Sequence, residues 1–130
     1  MAKEKNLWLL LRENLKDIHL QRIESGVTGS GIPDVNGCYA GVEFWIELKD
    51  VPINSTKIGL RVMQVAWISR RVLHGGRVFV LVRKLNKLYL YHIQVKDDIL
   101  ELVDNGLDCP ANLVLDIPYD WAALTSALLS

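Results

Sequence analysis

The alternating stretch at residues 42–49, Val-Glu-Phe-Trp-Ile-Glu-Leu-Lys, constrains the fold more than any other part of the chain. Successive side chains of a β-strand point to opposite faces, so this period of two predicts a strand. One face is apolar, and the other carries Glu47 and Lys49 side by side. Trp45 shares the face of the two charged residues, which indicates that this face is at least partly covered.

Asp34 lies on a shorter predicted strand that precedes the alternating one. If a tight turn at Ala40-Gly41 joins the two strands, Asp34 lies directly opposite Glu47, with the Cβ atoms about 5 Å apart. Two carboxylates at that separation raise each other's pKa unless a cation lies between them. A divalent cation with oxygen ligands would resolve the repulsion, so the pair predicts a metal site.

Two other registers are compatible with the same residues. A turn at Asn36-Gly37, the stronger two-residue turn signal, would place Asp34 opposite Tyr39. A six-residue loop over 36–41 would place Asp34 opposite Glu43. The two charged residues at the end of the long strand share a face in all three registers, whereas the position of the aspartate depends on the turn.

Periodicity over the rest of the chain predicts a helix, three strands, a helix, two strands and a small helical tail. The fold class that follows is α/β (α+β), a mixed central sheet flanked by helices. The further predicted elements are a helix over 3–18, an uncertain strand over 19–24, a helix over 59–74, strands over 77–84 and 87–95, a short helix from 97 or 98 to 103, an extended segment over 112–117 and a helix over 121–129.

Length and composition predict one globular domain over residues 1–130, because half the residues are apolar. The longest apolar runs are five residues, Leu7–Leu11 and Val78–Val82, far short of the roughly 20 that span a bilayer. No export signal is recognised, and two distant cysteines favour a reducing cytoplasm with free thiols. The glycine-rich loop Ser25–Gly31 lacks the ending of a nucleotide-binding P-loop, and the three histidines lack zinc-site spacing.

The formal net charge is zero, which counts against a nucleic-acid-binding protein unless positive charge is gathered locally. No acidic residue occurs between Asp50 and Asp97. The basic residues of that interval predict a phosphate-binding footprint, although charge runs are also common on solvated faces. The predicted footprint consists of the basic residues at positions 61–87, namely Arg61, Arg70, Arg71, Arg77, Arg83, Lys84 and Lys87.

Pro33-Asp34, twelve intervening residues and Glu47-Leu48-Lys49 match the signature of the PD-(D/E)XK nucleases. The strings Arg22-Ile23-Glu24, Gly31–Val35 and Phe44–Lys49 resemble the small stand-alone VRR-NUC-type and Holliday junction resolvase-like endonucleases of phages and prophages. The resemblance covers residues 22–82, about half of the chain. It implies a restriction-endonuclease-like αβββαβ core, here with a small C-terminal helical extension, and the cytoplasm of a bacterium or a phage-infected host.

The resemblance also implies roles for individual residues. Asp34, Glu47 and the backbone carbonyl of Leu48 would hold Mg²⁺ or Mn²⁺, which polarises the scissile phosphate and lowers the pKa of a bound water. Lys49 would orient that water or stabilise the developing negative charge. Gln64, on the second long helix, corresponds to a glutamine that family members commonly direct at the metal.

A further catalytic carboxylate is expected at Glu24, with Glu13 on the first helix as the alternative and neither as a third possibility. Nucleic-acid contacts are expected from Arg22, which precedes Glu24 in the matching string, and from Arg61 and Arg71. These two arginines flank the glutamine of the second long helix at helical spacing, on a polar stripe that an isoleucine interrupts.

The function implied is a metal-dependent endodeoxyribonuclease for branched or structured DNA, such as junctions and flaps. A junction requires two cuts and one domain carries one site, so a homodimer is expected. The last helix offers an interface through Trp121, Leu124, Leu128 and Leu129, or packs on its own domain. The alternatives are a non-catalytic nuclease-like module that binds DNA or protein, and a nuclease for ordinary duplex ends.

Overall fold

The computed structural model describes residues 3–24 and 30–130, with side chains from residue 6 onward. Its elements are α1 (Lys3–Asn14), β1 (His19–Arg22), β2 (Val35–Tyr39), β3 (Val42–Asp50), α2 (Val62–Leu73), β4 (Val78–Lys84), β5 (Lys87–Ile93), α3 (Lys96–Asn105), a 3₁₀ turn (Gly106–Asp108), β6 (Leu113–Leu115) and α4 (Trp121–Leu129). The expected fold class, a mixed sheet flanked by helices, is confirmed.

The six strands form one sheet in sequence order, β1 to β6. Neighbouring strands are antiparallel except β3 and β4, which are parallel and are connected through α2. A parallel pair needs a crossover because the chain must return to the end of the sheet at which the first strand begins. The crossover places α2 over the β3–β4 pair.

Helices cover both faces of the sheet. Leucines of α1 and α4 pack on one face together with Phe44, Ile46 and Leu48 of β3. On the other face, α2 and α3 pack around a second apolar cluster that includes Val80 and Val82 of β4. Since β3 side chains alternate, the face that carries Glu47 and Lys49 lies under α2.

The β2–β3 turn is the tight one at Ala40 and Gly41, with φ values of 51° and 82°. Two successive positive φ values are typical of the hairpin turns that match strand twist. The alternative turn at Asn36-Gly37 is wrong, because Gly37 lies inside β2 opposite Phe44. A Cβ added to Gly37 would lie 2.3 Å from the phenyl ring, so this glycine makes room for Phe44.

Several boundaries differ from the sequence-based expectation. The first helix ends at Asn14 instead of residue 18. Leu15 and Ile18 lie beyond the helix but are buried, so their apolar character does not mark helical residues. The second long helix begins at Val62 instead of residue 59. Residues 25–29 of the glycine-rich loop lie outside the described residues.

The C-terminal third is part of the central fold and not an appended extension. β5 and β6 extend the sheet, and Leu124 and Leu128 of α4 are 1% and 0% exposed within the core. Trp121 and Leu129 are partly buried against the same cluster. Of the two alternatives for α4, packing on its own domain is the one that Leu124 and Leu128 follow, while Trp121 and Leu129 keep part of their surface exposed. Among the described residues, none of the helices has both the length and the apolarity to cross a bilayer.

Candidate active site

A polar cavity of about 420 Å³ opens at the end of β2, between β3 and the N-terminus of α2. It brings together the two acids, the lysine and the glutamine that the sequence singled out. Its lining consists of Asp34, Glu47, Leu48, Lys49, Asp50, Ile58, Gly59, Arg61 and Gln64.

Asp34 lies at this cavity because of the hairpin register. Val35 pairs with Ile46, so continuing the ladder by one residue places Asp34 beside Glu47. The Asp34 Oδ2 atom accepts a hydrogen bond of 2.8 Å from the backbone N–H of Leu48. The N–H and C=O of one strand residue point to the same side, so the Leu48 carbonyl also points beyond the end of β2.

Glu47 is buried, with 1% of its surface exposed. Its Oε2 atom accepts a 2.7 Å hydrogen bond from Gln64 Nε2 and lies 3.4 Å from Lys49 Nζ. Its Oε1 atom is also buried and has no hydrogen-bond partner among the described residues. Buried polar atoms are almost always hydrogen-bonded, and a side-chain hydrogen bond with Asp34 is one of the causes that raise the pKa of Glu47, so this pair of carboxyl groups offers a place for a shared proton or for a cation.

The electrostatics of Glu47 lead to the same conclusion. Burial, followed by the negative charge of Asp34, raises its pKa from 4.5 to about 8. The ammonium group of Lys49 acts in the opposite direction but does not offset the other two effects. Without an added cation, the pair of acids therefore favours a protonated Glu47 at neutral pH.

Lys49 is held by three protein acceptors. Its Nζ atom donates to the Gly59 carbonyl at 3.1 Å and to Gln64 Oε1 at 3.0 Å, and it forms the ion pair with Glu47. An ammonium group has three donors, so these contacts fix its position. Gly59 was not predicted from the sequence, because a backbone acceptor leaves no signal in residue type.

Gln64 connects the other polar groups. Its amide nitrogen donates to Glu47, and its amide oxygen accepts from Lys49 and, at 2.9 Å, from the Arg61 N–H that opens α2. Gln64 is 5% exposed, so it is not the ordinary surface glutamine that its helical position would also allow. The crossover helix thus supplies the side chain that orients both charged groups of β3.

The donor set fits a divalent cation. Asp34, Glu47 and Leu48 line one cavity, and hard cations prefer the carboxylate and carbonyl oxygens that these residues carry. Asp50 also lines the cavity, but among the described residues no three acidic, histidine or cysteine side chains are placed so that they could hold a metal ion together. A cation here would therefore be held by two carboxylates, backbone oxygen and solvent.

Neither candidate for a third acid joins the cavity. Glu24 is exposed two residues after β1, and it is the last residue that the structure describes before residue 30. Glu13 is exposed on α1, and α1 packs on the opposite face of the sheet from Glu47. Catalytic assistance from Glu24 stays a prediction from the resemblance alone.

The three predicted nucleic-acid contacts separate. Arg61 lines the cavity at the start of α2. Arg71 lies at the other end of α2, over the rings of Trp45 and Trp67. Arg22 is directly opposite Val35, a residue of the α1-side core, so its side chain belongs to the other face and does not reach the cavity.

The basic interval does not form one continuous footprint. Arg83 pairs with Asp50 at 2.8 Å, and Lys87 lies 3.6 Å from Asp116. Arg77 donates to the Leu128 carbonyl at 2.6 Å, and Lys84 donates to the Ser55 carbonyl. All four residues are therefore engaged by acceptors within the chain.

No protein-family model matches the chain, and no curated protein matches it. Among solved structures, a Holliday junction resolvase from the archaeal hyperthermophile Archaeoglobus fulgidus is similar, with a TM-score of 0.45 and 19% sequence identity. The similarity covers 70% of this chain and 73% of the resolvase. It is a likeness of folds, and the residue assignments above rest on the geometry of this chain.

Proposed function

We propose that this protein is a metal-dependent endonuclease that hydrolyses phosphodiester bonds in DNA. The observation that carries the proposal is the meeting of Asp34 and Glu47 in one cavity beside Lys49, with a buried carboxylate oxygen of Glu47 left unpartnered. This arrangement occurs within a sequence that resembles the PD-(D/E)XK nucleases. Geometry and motif thus support the same chemistry.

The proposed cation is Mg²⁺ or Mn²⁺, held by Asp34, Glu47 and the Leu48 carbonyl, and it would supply Lewis-acid activation of the phosphate and of water. Lys49 would stabilise negative charge that develops on the phosphate, because its position is fixed before the substrate binds. Gln64 would hold Lys49 and Glu47 in position by bonding both. Arg61, at the cavity rim, would contact a phosphate of the bound strand.

The proposed substrate is branched or structured DNA, such as a junction or a flap. This preference follows from the motif resemblance, since the cavity itself distinguishes no DNA shape. Two cuts in one junction would require a second copy of this chain, so a homodimer is part of the proposal.

The test is cleavage of labelled linear duplex, flap and four-way junction DNA by the purified protein, with Mg²⁺ and with a chelator. Cutting in Mg²⁺ that the chelator abolishes is the expected result. Glu47→Gln and Lys49→Met are each expected to lower the rate at least a hundredfold, the scale of losing one preorganised charge stabiliser. Equal cutting of all three DNAs would keep the nuclease and remove the branch preference.

Matched controls are available on the same elements. Glu43→Gln changes an exposed acid on β3, and Lys57→Met changes an exposed lysine of the following loop. Both should cut at the wild-type rate. Metal-independent cutting, or equal loss in control and site variants, would contradict the proposal, and DNA binding without any cutting would favour the non-catalytic module.

A further inference from the structure

The C-terminal end of α2 carries an arginine that is held in place by aromatic rings. The Arg71 guanidinium lies 4.5 Å from the ring centre of Trp67 and 5.3 Å from that of Trp45. The two indoles contact each other edge to face at 5.2 Å. A Cβ on Gly76 would lie 2.4 Å from the Arg71 stem, so the backbone packs against the other side of that stem.

The donors of this guanidinium are not used within the described part of the chain. Ring contacts are its only interactions there, in contrast to Arg83 with its aspartate partner. Guanidinium groups stack on indole faces while their planar N–H fork stays available for another ligand. The structure therefore fixes a cation and leaves its hydrogen-bonding capacity for a ligand.

A cavity of about 390 Å³ opens at this guanidinium, lined by Trp67, Arg70, Arg71 and His74. The lining contains two cations and no carboxylate, so it favours an anion. The planar fork matches phosphate oxygens in a bidentate geometry, which makes phosphate the anion that fits best.

The position of this cavity relates it to the candidate active site. Trp45 precedes Glu47 by two residues on the same face of β3, and Arg71 follows Gln64 by seven residues along α2. The corresponding distances are about 7 Å along a strand and about 10 Å along a helix, or roughly one to two phosphates of a B-form strand, whose backbone winds around the axis.

We propose that Arg71, stacked on Trp45 and Trp67 and assisted by Arg70, is a second phosphate site for the DNA strand that is cut, roughly one to two nucleotides from the scissile bond. This assignment rests on the proposed function. The stacked arrangement restricts the arginine before DNA arrives, so less side-chain freedom is lost on binding. Phosphate contacts of this kind set the register of a strand and carry no base information.

The test is equilibrium binding of a fluorescently labelled flap DNA in chelator, by anisotropy, at salt concentrations from 50 to 200 mM. Arg71→Gln is expected to weaken binding about ten- to a hundredfold, the scale of a lost charge-assisted contact. It should also lower the slope of log K against log salt by about 0.9. The matched control is Arg12→Gln, an exposed arginine of α1 on the opposite face of the sheet, which should bind like the wild type.

A second variant distinguishes loss of the phosphate contact from loss of the folded structure. Arg71→Lys keeps the charge but lacks the planar fork, so the expected result is weaker binding with the salt slope retained. Wild-type affinity in Arg71→Lys, or an Arg71→Gln variant that behaves like Arg12→Gln, would overturn the site.

Failure of the two proposals can be separated. A protein that cuts DNA but binds it equally well with Arg71→Gln is a nuclease without this phosphate site. A protein that never cuts, but loses affinity and salt slope with Arg71→Gln, has the phosphate site without the nuclease function. Absence of wild-type DNA binding in chelator would overturn the phosphate site, whereas the nuclease proposal is decided by the cleavage assay in Mg²⁺.

Discussion

Glu47→Gln should stabilise the metal-free protein, and the gain should grow with pH. Burial and Asp34 raise the pKa of Glu47 from 4.5 to about 8 in the folded state. Below pH 4.5 both the folded and unfolded states hold the proton, so no cost arises. Between the two values only the folded state holds it, and the free energy of unfolding falls as pH rises.

The size of the effect follows from the pKa. A rise from 4.5 to about 8 corresponds to at most about 5 kcal/mol, reached above pH 8. At pH 7 the same values give about 3 kcal/mol. Glutamine has the same shape without the charge, and Gln64 Nε2 can still donate to its amide oxygen.

The assay is urea unfolding followed by tryptophan fluorescence in chelator, from pH 5 to pH 9. The difference between Glu47→Gln and wild type should be small at pH 5, rise through pH 7 and level off above pH 8. Glu43→Gln, on the exposed part of the same strand, should stay within about 0.5 kcal/mol of wild type. A difference that does not change with pH would refute the argument from burial and Asp34.

Two further variants test the hydrogen bonds of Gln64 in the site and the packing of α4 on the sheet. Gln64→Leu removes the group that bonds both Glu47 and Lys49, so the cleavage rate in Mg²⁺ should fall about ten- to a hundredfold while DNA affinity in chelator changes less than twofold. Leu128→Ala, at a fully buried position of α4, should cost about 2–5 kcal/mol in urea unfolding and leave the oligomeric mass unchanged in light scattering. An altered mass with unchanged stability would contradict the packing of α4 on its own sheet.

The alternation of β3 predicted most of the site, because a strand fixes the facing of its side chains in any register. Glu47 and Lys49 share a face for that reason, and the covered face indicated by Trp45 is confirmed by its contact with Trp67. The position of Asp34 was not determined by the sequence. It depends on Gly37 being needed for the close approach of Phe44 instead of for a turn.

The contacts that the sequence did not predict come from distant parts of the chain. Arg83 lies in an interval without acids, yet β3 supplies Asp50 as its partner because the two strands are adjacent. The sequence-based prediction assigned no role to Trp67, although it lies three residues after Gln64 and four before Arg71 on the same helix. That spacing on one helix was a signal that could have identified it.

The C-terminal third shows a second reason why the sequence alone did not predict every contact. Its helix α4 is apolar enough to pack in a core or to join a second copy, and periodicity alone favours neither. Leu124 and Leu128 pack in the core because the α1-side face of β4 and β5 is apolar and needs a helix to cover it. The resemblance ends before this region, so it provided no guide.

The most direct test of the central claim is a crystal of the wild-type protein soaked in Mn²⁺ and measured at the manganese absorption edge. We expect one anomalous peak within bonding distance of carboxylate oxygens of both Asp34 and Glu47, and no such peak in a Glu47→Gln crystal. Saturating Mn²⁺ with no peak between these two residues would contradict the assignment of the cavity as a metal-dependent active site.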